Sequence, residues 1–237
     1  MKAKVITVLT NKVSEDAAKQ CLESGERHGL TITKEFGIVP SGVTNTMNEW
    51  GIRWNYPWNG EVHKDFASGL TKVGYQTKEP KKRIACFLSH YKLWKECANT
   101  NEDMLIFEHD AYIERSIDFS VIQNSNKQII GLNQPQAGAT PRAQIYESKI
   151  LSQIKSPSPQ IVDVPYVFED QSKPAGLPGN SAYYLKPLGA KKLLNMVNLY
   201  GAWPNDAIMC RQLLPGIMGI YCPFISRVQI TKSTTTL

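Results

Sequence analysis

Residues 105–113 read LIFEHDAYI, and the order of residue types in that stretch decides how the chain is organised. Met104 to Phe107 are apolar without a break, and Glu108, His109 and Asp110 follow at once. Such a run reads as a strand covered on both faces, as in a largely parallel sheet. Side chains two apart on a strand share a face. If the extended path continues past Phe107, Glu108 and Asp110 project together and His109 points away. Ligands of open α/β sheets bind outside the carboxyl ends of the strands. Two acids there can hold a hard cation, which in turn neutralises a diphosphate that carboxylates alone would repel. The local alternative is that Glu108 caps a turn and Asp110 begins a helix. Spacing alone does not choose, because short acidic pairs are common.

The flanking sequence supplies the rest of an α/β pattern. Lys4–Leu9 (KVITVL) reads as a buried strand. Residues 14–28 read as a helix, with Ser14 as its N-cap, Glu15 and Asp16 in the first turn and Gly29 at its end. Leu30–Val39 is strand-like with an interruption at Gly37, which completes a β-α-β opening. Residues 40–80 have weak periodicity and many turn formers, and irregular segments of that length are commonly functional. Arg83–Ala98 (RIACFLSHYKLWKECA) places Ile84, Phe87, Leu88, Tyr91, Trp94 and Ala98 at helical spacing. Strands are expected at 129–132, 161–167 and 181–185. Residues 133–159 read mostly as loop, a helix runs from Pro187 through Leu199, a short helix covers 206–214, and 221–230 are extended. Residues 231–237 form a polar tail. No repeat or linker divides the sequence, so 1–237 reads as a single domain.

Composition narrows the classes. The 237 residues are 42% hydrophobic and 20% charged, enough for a sizeable core. No stretch is apolar for the ~20 residues a membrane span needs, and the apolar run near the start is too short for a signal peptide. The five cysteines are odd in number and form no CxxC, which suits free thiols in a reducing compartment. A cytoplasmic location is the expectation. The net charge of +6 favours polyanions, membrane surfaces or phosphorylated ligands without choosing among them.

Several motifs together are similar to one family. Cys86, Ser89, His90 and Trp94 fit a helix pattern G-C-x-x-S-H-x-x-x-W, and Glu108 and Asp110 fit the outer acids of a following Glu-Asp-Asp strand end. GNSAYYLKPLGAKKLL (179–194) looks like a G-x-x-A-Y-x-(I/L) strand with a G-A-x-K-L-L helix, and Asp206 follows. The sequence thus resembles glycosyltransferase family 25, the lipopolysaccharide and procollagen sugar transferases. The resemblance implies a GT-A-like single domain with a mixed, mostly parallel sheet flanked by helices. It implies inverting transfer from a nucleotide sugar, UDP-linked, with Mn²⁺ or Mg²⁺. Carried over, Asp110 is the metal ligand, Glu108 contacts metal or donor, and Asp206 is the candidate base. Lys12 and Arg83 are candidate donor phosphate contacts, and His90 is either a donor-site residue or a satisfied core histidine. His109 stands where the middle acid would be.

Other residues suit an acceptor. Three of the five tryptophans, Trp50, Trp54 and Trp58, fall in WGIRWNYPW, and aromatic faces stack on sugars and bases. That loop, within an expected acceptor loop or lid at 40–80, is equally readable as one pinned to the core. The GLPGN turn ending in Asn180 is expected beside the acceptor. KEPKKR (78–83) places cations at a helix N-terminus, where the macrodipole opposes them unless an anion is near. The acceptor is either a saccharide of the lipopolysaccharide type or a hydroxymethylated base in DNA, the phage type. A catalytically inactive, nucleotide- or glycan-binding descendant is the alternative, with a metal-dependent hydrolase a weaker one. The sequence leaves the oligomeric state open.

Overall fold

The computed structural model describes residues 1–9, 11–135, 141–177 and 179–229, so the tail read at 231–237 lies outside the described residues. The chain opens with β1 (Lys2–Thr7), α1 (Lys12–Arg27) and β2 (Thr33–Phe36), and β2 pairs parallel to β1. Asn11, not Ser14, caps α1, because its side chain accepts a hydrogen bond from the Ser14 amide at 3.1 Å. Ser14 instead turns inward and its hydroxyl accepts from the Val8 amide at 2.9 Å, which ties the β1–α1 turn together.

Residues 40–80 are more ordered than their sequence suggests. A 3₁₀ turn at Pro40–Gly42 leads into α2 (Val43–Trp50), and β3 (Val62–Asp65) pairs with β4 (Leu70–Val73) as an antiparallel hairpin. The periodicity is weak because α2 buries only Val43, and the hairpin strands bury only Asp65, Leu70 and Lys72. Lys72, fully buried, pairs with Asp65 at 3.2 Å, donates to the Asn55 carbonyl at 2.7 Å and lies 4.5 Å from the centre of the Trp203 ring.

There follow α3 (Pro80–Thr100), β5 (Met104–Glu108), β6 (Ala111–Ile113), α4 (Phe119–Gln123), β7 (Ile129–Gly131), α5 (Pro141–Leu151) and β8 (Gln160–Asp163). β9 (Ala182–Leu185), α6 (Pro187–Tyr200), α7 (Asn205–Ile208), β10 (Met218–Cys222) and β11 (Ser226–Val228) complete the described chain. Helix α5 corrects the loop expected over 133–159: Ala143, Tyr146 and Ile150 bury one stripe, which the polar composition around them hides. The helix expected over 206–214 is the four-residue α7, and β8 stops before Pro165.

The main sheet has the order β2-β1-β5-β9-β7-β10-β8. Five strands point one way, and β9 and β8 run against them, so the sheet is mixed and mostly parallel as expected. Its two faces bury separate clusters. Met104 and Ile106 of β5 meet Phe87, Leu88 and Trp94 of α3, while Leu105 and Phe107 meet Ala18 and Cys21 of α1. Each fully buried large apolar side chain contributes about 1.5–3 kcal/mol, which accounts for the unbroken apolar run of β5. The register Ile6↔Glu108 sets the carboxyl ends of β1 and β5 side by side.

Candidate active site

A cleft of about 330 Å³ opens beyond those strand ends. Its lining includes Ile6, Val8 and Asn11 from the first β-α turn, Val39 and Pro40, Lys82, Cys86, Ser89 and His90 from α3, and Glu108, His109 and Asp110. The acidic cluster therefore lies at a cavity, but its geometry differs from the extended path expected. The strand ends at Glu108, and His109–Asp110 form a turn before β6. Gln229 fastens this turn: its amide N–H donates to the Asp110 carbonyl at 2.7 Å and its side-chain amide to the Ala111 carbonyl at 3.0 Å. His109 accordingly lines the same cleft instead of pointing away. Burial lowers its pKa against the opposing pull of Glu108, so it adds no positive charge at neutral pH.

The two acids differ in environment. Burial would raise Glu108, but the hydrogen bonds it accepts from His90 and Asn205 bring it below the ordinary glutamate value. Its Oε1 meets His90 Nε2 at 3.0 Å and the Asn205 side-chain amide at 3.4 Å. Asp110 is pushed up to about 7 by burial and by the charge of Glu108, and its Oδ1 is buried with no hydrogen-bond partner. An orphaned carboxylate oxygen beside a second acid fits a hard divalent cation, which would relieve both the missing bond and the repulsion. Cys86, His90 and Glu108 also bring a sulfur, a nitrogen and an oxygen within 4.8 Å of one another. Burial raises the Cys86 thiol well above its ordinary value, so it stays protonated and is a poor ligand.

A second cavity, of about 530 Å³, is walled by Tyr56, Tyr75, Tyr146, Phe168, Lys173, Gly176 and Asp206. Asp206 sits in the first turn of α7, behind Pro204, so it is not the N-cap that its sequence position suggests. Burial raises its pKa, with Arg83 and the Tyr75 hydrogen bond opposing. The Tyr75 hydroxyl donates to Asp206 Oδ2 at 3.0 Å, and the Arg83 guanidinium lies 4.5 Å over the Tyr75 ring. Gly176 presses on the Asp206 backbone so closely that a Cβ there would stand 1.3 Å from the Asp206 carbonyl oxygen. The two cavities adjoin through one dipeptide: Asn205 bonds Glu108 of the cleft, and Asp206 lines the larger cavity.

The remaining expected residues are placed less directly. Lys12 is exposed one position beyond Asn11, and Arg83 faces Tyr75 while Lys82 lines the cleft. Trp50 stacks on Tyr91 at 5.8 Å, and Trp54 stacks on Trp58 at 5.1 Å with its edge against Phe87. These tryptophans pin the loop to the core, and it is Tyr56 of that loop that reaches the larger cavity. Asn180 is buried behind Gly179, its side-chain amide 3.9 Å from Met209 sulfur. Lys82, Asn205 and Tyr75 escaped the sequence reading. Lys82 lay within the basic stretch and Asn205 beside Asp206, but nothing local marks Tyr75.

The α/β sheet thus carries an acid-lined cleft beyond its strand ends and a carboxylate, Asp206, in an adjoining cavity. The profile of "Glycosyltransferase family 25 (LPS biosynthesis protein)" matches residues 59–209, more than half of the chain. The chain belongs to glycosyltransferase family 25, and this membership with the seven-stranded mixed sheet gives the GT-A-like fold the motifs imply. No curated protein matches it. Among solved structures it is similar to mouse xyloside xylosyltransferase 1, apo form, at 10% identity and TM-score 0.43 over 92% of this chain and 84% of that one. It is also similar to a glycosyltransferase involved in the glycosylation of the major capsid of PBCV-1, at 8% identity and TM-score 0.41 over 98% and 95% of the two chains. No described helix is long and apolar enough to cross a membrane.

Proposed function

We propose that this glycosyltransferase moves a sugar, with inversion, from a nucleotide-sugar donor in the acid-lined cleft to a saccharide hydroxyl in the larger cavity. The observation that carries this reading is the Asn205–Asp206 dipeptide, one residue of which bonds the donor-side acid while the next lines the aromatic cavity. Glu108 and Asp110 would hold Mn²⁺ or Mg²⁺, and Lys82 and Asn11, which line the same cleft, would face the donor phosphates. When bound, the cation supplies charge neutralisation for the departing nucleoside diphosphate. Asp206 accepts the proton of the acceptor hydroxyl through Oδ1, since Tyr75 already occupies Oδ2. Oxygen attacks the anomeric carbon from the side opposite the diphosphate, the bond to the diphosphate breaks, and configuration inverts. Burial raises the Asp206 pKa, the direction a general base calls for.

The walls favour a sugar over DNA as acceptor. Tyr56 and Phe168 line it as aromatic walls, whereas among the described residues Lys173 is the one cation in the lining. The protein is proposed to act in the cytoplasm, where nucleotide sugars are made, with UDP as the carrier. The test is turnover of UDP-sugars with Mn²⁺ and lipopolysaccharide-core oligosaccharides. Asp206→Asn is expected to lower kcat by roughly 10²–10⁴-fold while donor affinity stays within about twofold. Full activity in that variant removes Asp206 as base, and full activity in Asp110→Ala removes the metal-assisted donor site.

A further inference from the structure

We propose that His90 is a positioning residue, held in a single tautomer by Trp94 and Tyr183 so that its Nε2–H fastens Glu108 Oε1 and leaves Oε2 for the donor side. The inference rests on reading Glu108 as a donor-site carboxylate. Cys86, His90 and Trp94 are four apart along α3, so they share one helix face. Tyr183 pairs with Ile106 across β9 and β5, and Glu108 is two residues beyond Ile106 on the same face of the sheet. The helix face and the sheet face thus meet around a fully buried imidazole.

The hydrogen bonds decide the proton's place. Trp94 Nε1–H is a donor only, and it donates to the Tyr183 oxygen at 2.8 Å. The Tyr183 hydroxyl proton then has one acceptor among the described residues, His90 Nδ1 at 2.9 Å. Burial keeps the Tyr183 phenol protonated by raising its pKa well above the ordinary value. Nδ1 is therefore bare, the proton of the neutral ring sits on Nε2, and Nε2 donates to Glu108 Oε1 at 3.0 Å. The Asn205 amide at 3.4 Å and the Cys86 thiol at 3.9 Å approach the same oxygen. Oε1 thus takes the His90 and Asn205 hydrogen bonds, and no hydrogen bond from the described residues falls on Oε2.

The same logic argues against a transition metal at Cys86, His90 and Glu108. Coordination through Nε2 requires Nδ1–H. That group would donate to a Tyr183 oxygen already taking the Trp94 N–H, and the Tyr183 proton would be stranded in a buried site.

The tautomer is read in the ligand-free protein from long-range ¹H–¹⁵N correlations of labelled histidine, with His90→Gln assigning the signal. The neutral Nε2–H pattern is expected, and an Nδ1–H or imidazolium pattern at pH 7 overturns the proposal. Calorimetric titration with UDP in the presence of Mn²⁺ supplies the functional arm. His90→Leu is expected to weaken binding about tenfold, and His90→Gln, whose amide N–H can reach Oε1, to restore it to within about threefold. Equal weakening in both variants overturns the positioning role. Should His90→Leu not fold, Tyr183→Phe keeps the ring and removes only the hydroxyl that orients it, and UDP binding as tight in it as in the native protein also overturns the proposal. Absence of UDP binding by the unmodified protein defeats the donor reading of the cleft instead, while the tautomer measurement still decides the hydrogen-bond chain.

Discussion

Gly176 has no side chain because Asp206 leaves no room for one. A Cβ would meet the Asp206 carbonyl oxygen at 1.3 Å and the carbonyl carbon at 2.5 Å, both backbone atoms that cannot rotate aside. Gly176→Ala must displace the loop or the candidate base. It is expected to cost about 1–3 kcal/mol in urea unfolding and to reduce turnover far more than donor affinity. Asp110 shows the opposite tension, between stability and function. Its carboxyl is raised from 3.8 to about 7 by burial and Glu108, so the folded state binds more protons than the unfolded state between those values. Stability of the metal-free protein accordingly falls as pH rises from about 4 to about 7. Asp110→Asn is expected to raise metal-free stability on the order of 2 kcal/mol at pH 8 and little at pH 4, with donor binding lost. Melting curves at both pH values check the sign.

At the scale of elements, the β3–β4 hairpin illustrates how a charge can take the place of an apolar core. Lys72 is fully buried, and Asp65 is its ionic partner at 3.2 Å. Burial depresses the Lys72 pKa despite that partner. Removing one member leaves an uncompensated charge, so Asp65→Ala is expected to cost about 3 kcal/mol, eased by the Asn55 carbonyl and the Trp203 ring. Lys72→Met removes the charge and keeps the volume, and it should stay within about 1 kcal/mol of the native protein. Denaturant unfolding of the two variants separates the effects. The hairpin was illegible in sequence for this reason: its stabilising contacts join Lys72 to Asn55 and Trp203, residues outside it. Helix α3, by contrast, was legible from its apolar spacing, and β5 from its unbroken apolar run.

For the molecule as a whole, the net charge of +6 does not by itself select nucleic acid. Part of the basic charge is paired: Lys4 lies 2.9 Å from Glu35 and 2.6 Å from Glu96, while Lys92 also pairs with Glu35. The larger cavity is aromatic, with Lys173 as the one lining cation among the described residues. Duplex DNA should therefore not compete with an oligosaccharide acceptor at about 150 mM salt, and turnover on the oligosaccharide should vary little with salt, in contrast to the steep loss that phosphate contacts produce. Competition by DNA that weakens steeply with added salt would return the hydroxymethylated base as acceptor.

The sequence by itself determined the α/β class, the β-α-β entry, the helix before the acidic strand and the family, because each is carried by contiguous residues at a fixed period. It also located Glu108, Asp110 and Asp206. Only the tertiary structure decided what surrounds them. A turn fastened by Gln229, which is more than 100 positions away, brings His109 into the cleft and buries Asp110 Oδ1. Tyr75 reaches Asp206 across 131 positions, and Tyr183 reaches His90 across 93. Periodicity records which face a residue takes on its own element. Which other element meets that face is set by packing of the whole chain, and the chemistry of this site lies in those meetings.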